Sequence, residues 1–238
     1  MGARVTYEAT DAVASITMDD GKANALGFDM LGELNEALDR AEAEQAAVVL
    51  AGRDGLFTAG FDLKVMKSSG PDMPRLLKTG FELSHRMLSF PQPIVIACTG
   101  HAFAMGVFVL LSGDYRVGVA GAEHKITANE VSIGLTMPRS ALEVCRLRLP
   151  RAYVDRVVVL AEVFGPDGAV TAGVLDEVVT GETLLESAHA KAGELKKLHP
   201  RAFAETKLRV RAGALASLRT AMDADDAELD VPDRPPLG

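Results

Sequence analysis

From Pro91 to Gly113 the chain carries no Asp, Glu, Lys or Arg, yet the run is interrupted by Thr99, Gly100 and His101 and holds a second glycine at Gly106. The interruption decides what the run can become. Ile94 to Cys98 predicts a short buried strand, and Met105 to Leu111 predicts an apolar helix that opens at a sharp turn. Each piece has about half of the ~20 apolar residues that a bilayer crossing needs, so no membrane span is expected. A helix start in apolar surroundings leaves backbone N–H groups without intrahelical partners, and water, another loop or a substrate oxygen must accept their hydrogen bonds.

The 238 residues suit one α/β core with a helical appendage. No charged leader with an apolar stretch and cleavage site opens the chain, and Cys98 and Cys145 lie far apart in apolar contexts, which predicts reduced thiols in a cytoplasmic protein. The net charge of −8 is concentrated: residues 223–238 carry −5, whereas Lys191 to Arg219 carries a local +6. That basic stretch is either a solvated helix face or a meeting place for an anionic ligand. Its few aromatic residues argue against nucleic acid.

Residues 13–18 alternate as a strand, and the helix expected from about Phe28 to Glu44 places Met30, Leu31, Leu34, Leu38 and Ala41 on one face. Ala47 to Leu50 follows as a buried strand. Strand, helix, strand in this order predicts a parallel sheet with right-handed crossovers. A helix near Pro74 to Phe90 leads into the uncharged run, and Tyr115 to Val119 is the next strand. Residues 124–138 are read as irregular, Ser140 to Leu149 and Ala152 to Leu160 as helices, and Val174 to Val179 as a last strand. Two terminal helices, Glu182 to Leu198 and Arg201 to Met222, meet near Pro200. The acidic, Pro-rich tail from Asp223 is expected to be poorly ordered.

Two loops that follow buried strands, Thr58 to Asp62 and Gly100 to Gly106, supply small residues where backbone must approach a ligand. Ligands of open α/β sheets bind beyond the carboxyl ends of strands, so the loops are candidates to converge, and two converging N–H groups form an oxyanion hole.

FTAGFDLK (Phe57 to Lys64), PIVIACTGHAFAMGVFVLLSGDYRV (Pro93 to Val117) and ANEVSIGLTMP (Ala128 to Pro138) resemble, in order and spacing, the crotonase or enoyl-CoA hydratase/isomerase superfamily. The resemblance covers nearly the whole chain. It implies a ββα spiral core over 1–180, C-terminal helices over 181–222 that serve trimer or hexamer assembly, and the acidic tail over 223–238. It also implies an acyl-CoA thioester substrate whose oxygen is held by the N–H groups of Phe61 and Met105. Lys22, Ala23, Ala25, Ala59, Asp62 and Leu63 would line the CoA arm, with Lys64 and Lys207 facing its phosphates. Plain core packing is an equal reading for Ala25 and Leu63. Coenzyme A is part of the substrate, and no separate cofactor is expected.

Hydratases of the family hold water between two glutamates. Here the helix position is Phe108, and the loop position matches Glu130, preceded by Asn129. A phenyl ring neither orients water nor transfers a proton, so one of two catalytic groups is missing for hydration. A single base still suffices to move a proton from C2 to C4 of a 3-enoyl-CoA, giving the conjugated 2-enoyl-CoA. Single-glutamate isomerases of the family work in that way and share both the Asn-Glu pair and the length of the Glu130 to Pro138 spacing. In an apolar acyl tunnel the Glu130 pKa is expected to rise. The alternatives are a hydratase with a substitute acid and a non-catalytic acyl-CoA binder.

The Met105 helix also resembles that of Clp-type serine peptidases, whose serine stands where this chain has Ala104, so that chemistry lacks its nucleophile. The five histidines show no i, i+4 pair and no cluster with cysteine, and no metal site is expected.

Overall fold

The computed structural model describes residues 2–68, 70–121 and 123–229. Strands β1 (Val5–Thr10) and β2 (Val13–Met18) form an antiparallel hairpin through Asp11 and Ala12, both at positive φ. From β2 onward the sheet is parallel: β2 pairs with β3 (Ala47–Ala51), β3 with β5 (Ile94–Cys98), β5 with β7 (Tyr115–Val119) and β7 with β9 (Glu177–Val179). β3 and β5 are buried along their whole length. Their side chains alternate between two cores, as the two-residue strand period requires. Val48, Leu50, Ile94 and Ile96 pack under helices α1 (Phe28–Ala43), α3 (Asp72–Ser89) and α4 (Met105–Ser112). Ala47, Val49, Val95 and Ala97 face Leu184, Ala188 and Ala192 of α8 (Leu184–Lys196). The small alanines allow α8 to lie close to the sheet.

After each of β3, β5 and β7 the chain steps into a second, smaller parallel sheet, formed by β4 (Gly55–Thr58), β6 (Gly100–Phe103) and β8 (Ile126–Thr127). This repeated step from sheet to sheet is the expected spiral. It explains the break in the uncharged run, because Thr99 and Gly100 are where the chain leaves the main sheet. A Cβ on Gly100 would lie 2.1 Å from the Gly55 carbonyl carbon and oxygen, so no larger residue fits between β4 and β6. The turns that end β4 and β6 are thereby fixed side by side. Both cysteines are buried and free.

The remaining helices are α2 (Leu63–Met66), α5 (Arg139–Arg148), α6 (Arg151–Val158), α7 (Pro166–Thr171) and α9 (Pro200–Leu229). The expectation of a poorly ordered tail from Asp223 is corrected over its first part, since α9 continues through Leu229. Asp225 explains the extension: it is only 6% exposed, and it accepts from the backbone N–H groups of Arg139 and Ser140 at 2.9 Å each and from the Ser140 hydroxyl. A carboxylate from α9 thus serves the open N-terminus of α5, where the helix dipole favours negative charge. The rest of the tail, 230–238, lies outside the described residues. Asp225→Ala is expected to leave the buried Ser140 N–H and the part-buried Arg139 N–H unpaired and to lower stability by about 1–3 kcal/mol, read as a lower urea midpoint.

Candidate active site

The loop between β2 and α1 and the turn after β4 are tied together by buried polar groups. Asn24, at positive φ, donates to the carbonyls of Met18 and Phe57, and its own carbonyl accepts from the Thr58 hydroxyl at 2.6 Å. The same hydroxyl accepts from Gly60 N–H, and Ala59 N–H donates to the Ala23 carbonyl. Leu26 brackets the turn, donating to the Gly60 carbonyl and accepting from Asp62 N–H. Phe61 is left between these bonds, and its N–H meets no acceptor among the described residues.

The second turn is set by Ala104, which carries φ 49° and ψ −121° directly before α4. Such a conformation is costly for a residue with a Cβ and persists only where the surroundings enforce it; here Ala104 N–H is held by the Thr127 carbonyl. The turn aims the first amide of α4, on Met105, away from its own helix, and it too has no acceptor among the described residues. The two turns touch at Gly60, where φ is +89° and an added Cβ would sit 2.8 Å from the Phe103 carbonyl oxygen and 3.3 Å from Met105 N. Gly60→Ala is therefore expected to push the turns apart. Loss of one oxyanion donor costs about 2.7–4 kcal/mol, so kcat should fall about 10²–10³-fold with a smaller change in KM.

Glu130 enters from the loop after β8. Its carbonyl accepts from the N–H groups of Ile133 and Leu135, and Gly134 at φ 84° closes this short turn, which holds the residue inward. The side chain is 7% exposed, and Oε2 has no hydrogen-bond partner among the described residues. Burial, only partly offset by a hydrogen bond from the residue's own backbone N–H, pushes its pKa from 4.5 to about 7, the direction expected from the sequence. Asn129, beside it, likewise buries an unpartnered side-chain oxygen.

Glu130 opens on a cavity of about 590 Å³ shared with Ala59, Phe61, Leu63, Ala104 and Phe108. Phe108 and Phe81 pack with ring centroids 5.8 Å apart, so the wall contributed by α4 is aromatic and offers no acid. Of the residues assigned to a CoA arm, Ala59 and Leu63 line the cavity and Leu63 is 58% exposed. Lys22, Ala23 and Ala25 lie on the adjoining loop, Asp62 caps α2 by accepting from Lys64 N–H, and Lys64 is exposed. Arg53, which the sequence reading passed over, donates to the Lys22 carbonyl and braces that loop.

Lys207 lies apart from this cavity, in a buried ion-paired cluster. Its ammonium is buried against Asp114 at 2.7 Å, Arg211 binds the other carboxylate oxygen at 2.9 Å, and neither cation lines the cavity around Glu130. Desolvation lowers the Lys207 pKa to about 8, despite the carboxylate. Met73, Leu77 and Phe81 of α3 also line the cavity, and α9 adds Asp225 and Glu228.

Residues 8–231 match the family model for enoyl-CoA hydratase/isomerase. The chain belongs to the enoyl-CoA hydratase/isomerase family. A Mycobacterium tuberculosis protein, named an enoyl-CoA isomerase in one solved structure and a probable enoyl-CoA hydratase in another, is similar at 43% identity, the first structure with a TM-score of 0.91 over 96% of this chain and 100% of that one. A structure named as an enoyl-CoA hydratase from Mycobacterium marinum is similar at 44% identity, with a TM-score of 0.90 over 95% of this chain and 99% of that one. Human mitochondrial enoyl-CoA delta isomerase 1 is 26% identical over 93% of this chain and 74% of its own. These relatives are enzymes of both kinds, so the family makes this chain an enzyme of hydratase/isomerase type and gives it the crotonase fold, while their names alone do not choose the reaction.

Proposed function

We propose that this family member converts 3-enoyl-CoA thioesters into 2-enoyl-CoA thioesters, with Glu130 as the single acid/base. The observation that carries the reading is one buried carboxylate, with an unpartnered oxygen, in a cavity where Phe108 stands on α4 and offers no second acid. The thioester oxygen sits against the Phe61 and Met105 N–H groups, and Glu130 takes the proton from C2. The electrons of that C–H bond form the C1–C2 double bond of a dienolate, whose negative oxygen the two N–H groups stabilise. As the enolate collapses, C2–C3 becomes double and the former C3–C4 π electrons take the proton back from Glu130 at C4. No net charge or redox change results, so the step calls for no cofactor.

Hydration would require a second group to hold and deprotonate water. Asp225 and Glu228 also reach the cavity, but Asp225 is committed to the start of α5 and Glu228 is ion-paired with Arg139. Family resemblance further supports assembly as a trimer or hexamer and a cytoplasmic location; among the described residues no helix is long and apolar enough to cross a membrane.

The test is a pair of assays on one preparation, isomerisation of a 3-enoyl-CoA and hydration of a 2-enoyl-CoA. Isomerisation should exceed hydration at least about 10²-fold, the typical contribution of one general acid/base group. Hydration equal to or faster than isomerisation, or CoA-ester binding with neither turnover, contradicts the proposal.

A further inference from the structure

The cavity wall is apolar where α2, α3 and α4 supply it, through Met66, Met73, Leu77 and Phe108, but changes character where α9 meets the start of α5. There it presents Arg139, Asp225 and Glu228. Arg139 and Glu228 are ion-paired and about half exposed, whereas Asp225 beneath them is buried and bonded to the first amides of α5. This section of wall holds no group that the proposed reaction uses, and its charges already have partners within the protein.

We propose that the Arg139–Glu228 pair, seated over Asp225, ends the acyl cavity and sets the length of acyl chain that the enzyme accepts, limiting it to short and medium straight chains. The inference rests on the acyl-CoA reading of the cavity and adds a specificity boundary to it. Methylene groups that stop on the methionine and leucine wall gain by leaving water. Methylene groups that continue to the α9–α5 seam must displace an ion pair or desolvate its charges, and hydrocarbon offers those charges nothing in exchange. Asp225 makes the boundary rigid, because moving α9 outward would uncap α5.

Saturated acyl-CoA thioesters test this without turnover. Hexanoyl-, octanoyl-, dodecanoyl- and hexadecanoyl-CoA are titrated calorimetrically against the wild type and an Arg139→Met, Glu228→Met double variant, which keeps unbranched side chains and helix propensity but makes the seam apolar. The wild type should bind the two shorter thioesters more tightly than hexadecanoyl-CoA. The ratio of the hexadecanoyl-CoA Kd to the hexanoyl-CoA Kd should fall at least about tenfold in the variant, the scale of methylene discrimination in an apolar pocket. Should the double variant not fold, Glu228→Gln, at a half-exposed position, should lower the ratio about threefold on the same scale. An unchanged ratio overturns the boundary and leaves the acyl-CoA reading standing. Failure of the wild type to bind any of the four thioesters overturns both.

Discussion

Glu130→Gln is expected to lower kcat/KM for a 3-enoyl-CoA by about 10²–10⁴-fold, the range for removal of a positioned general acid/base. Glutamine has nearly the same shape and fills the same place, so thioester binding should persist while proton transfer stops. Stability should move the opposite way. Between pH 4.5 and about 7 the folded protein holds a proton on Glu130 that the unfolded chain has released, so wild-type stability falls as pH rises through that window. At 1.36 kcal/mol per pKa unit the buried charge costs the wild type about 3–4 kcal/mol once ionised. The variant should therefore be more stable than the wild type by about that amount at pH ~8, with the gap closing toward pH ~4. Urea titrations at the two pH values read the difference directly. A catalytic group that destabilises its own fold is what a functional carboxylate in an apolar wall entails; a variant less stable than the wild type at both pH values would show that Glu130 serves packing instead.

The second large effect lies away from the site. Asp114 accepts from Ile94 N–H, Lys207 and Arg211, and Arg148 is close enough that its pKa is lowered to about 10, by desolvation first and then by Arg116 and Arg211. Asp114→Asn removes the carboxylate that counters this buried positive charge. The expected loss is about 3–5 kcal/mol, because uncompensated buried cations cost more than the pair contributes. Lys207 fixes the pH dependence. Its folded pKa of about 8 lies below its usual value of 10.5, and loss of the Asp114 charge lowers it further, so the variant's deficit should shrink as pH rises toward about 8, above which Lys207 is neutral in both folded proteins. Thermal midpoints at neutral and alkaline pH measure both the loss and its recovery. CoA-ester affinity in folded Asp114→Asn should stay within about twofold of wild type, since this cluster does not line the cavity and distant sites act nearly independently.

How much of this was legible in the sequence depended on the range over which each interaction acts. β3, β5 and α4 announce themselves through unbroken apolar runs, and the glycine that separates β5 from β6 is a local signal with a local cause, the 2.1 Å approach to Gly55. Phe61, Met105 and Glu130 were picked out through the family resemblance of the segments that carry them. β8, with two residues, has no pattern of its own and exists because β6 pairs with it. The end of α9 was misjudged because its acidic residues look like a solvated tail; the bonds that bury Asp225 reach residues 85 and 86 positions away. The pairing of Lys207 with Asp114 is equally silent in the sequence, as the two are 93 residues apart. A charge in a sequence carries no mark of the partner that the fold will bring to it.

The most direct measurement is the pH dependence of kcat/KM for 3-enoyl-CoA isomerisation, from about pH 5 to about pH 9, with hydration followed on the same samples. Because kcat/KM reports the ionisation of the free enzyme, the account predicts one rising limb with a midpoint near the Glu130 pKa of about 7, absent in Glu130→Gln, and hydration far below isomerisation throughout. Undiminished turnover in Glu130→Gln, or a wild-type rate that does not change with pH across that range, would contradict it.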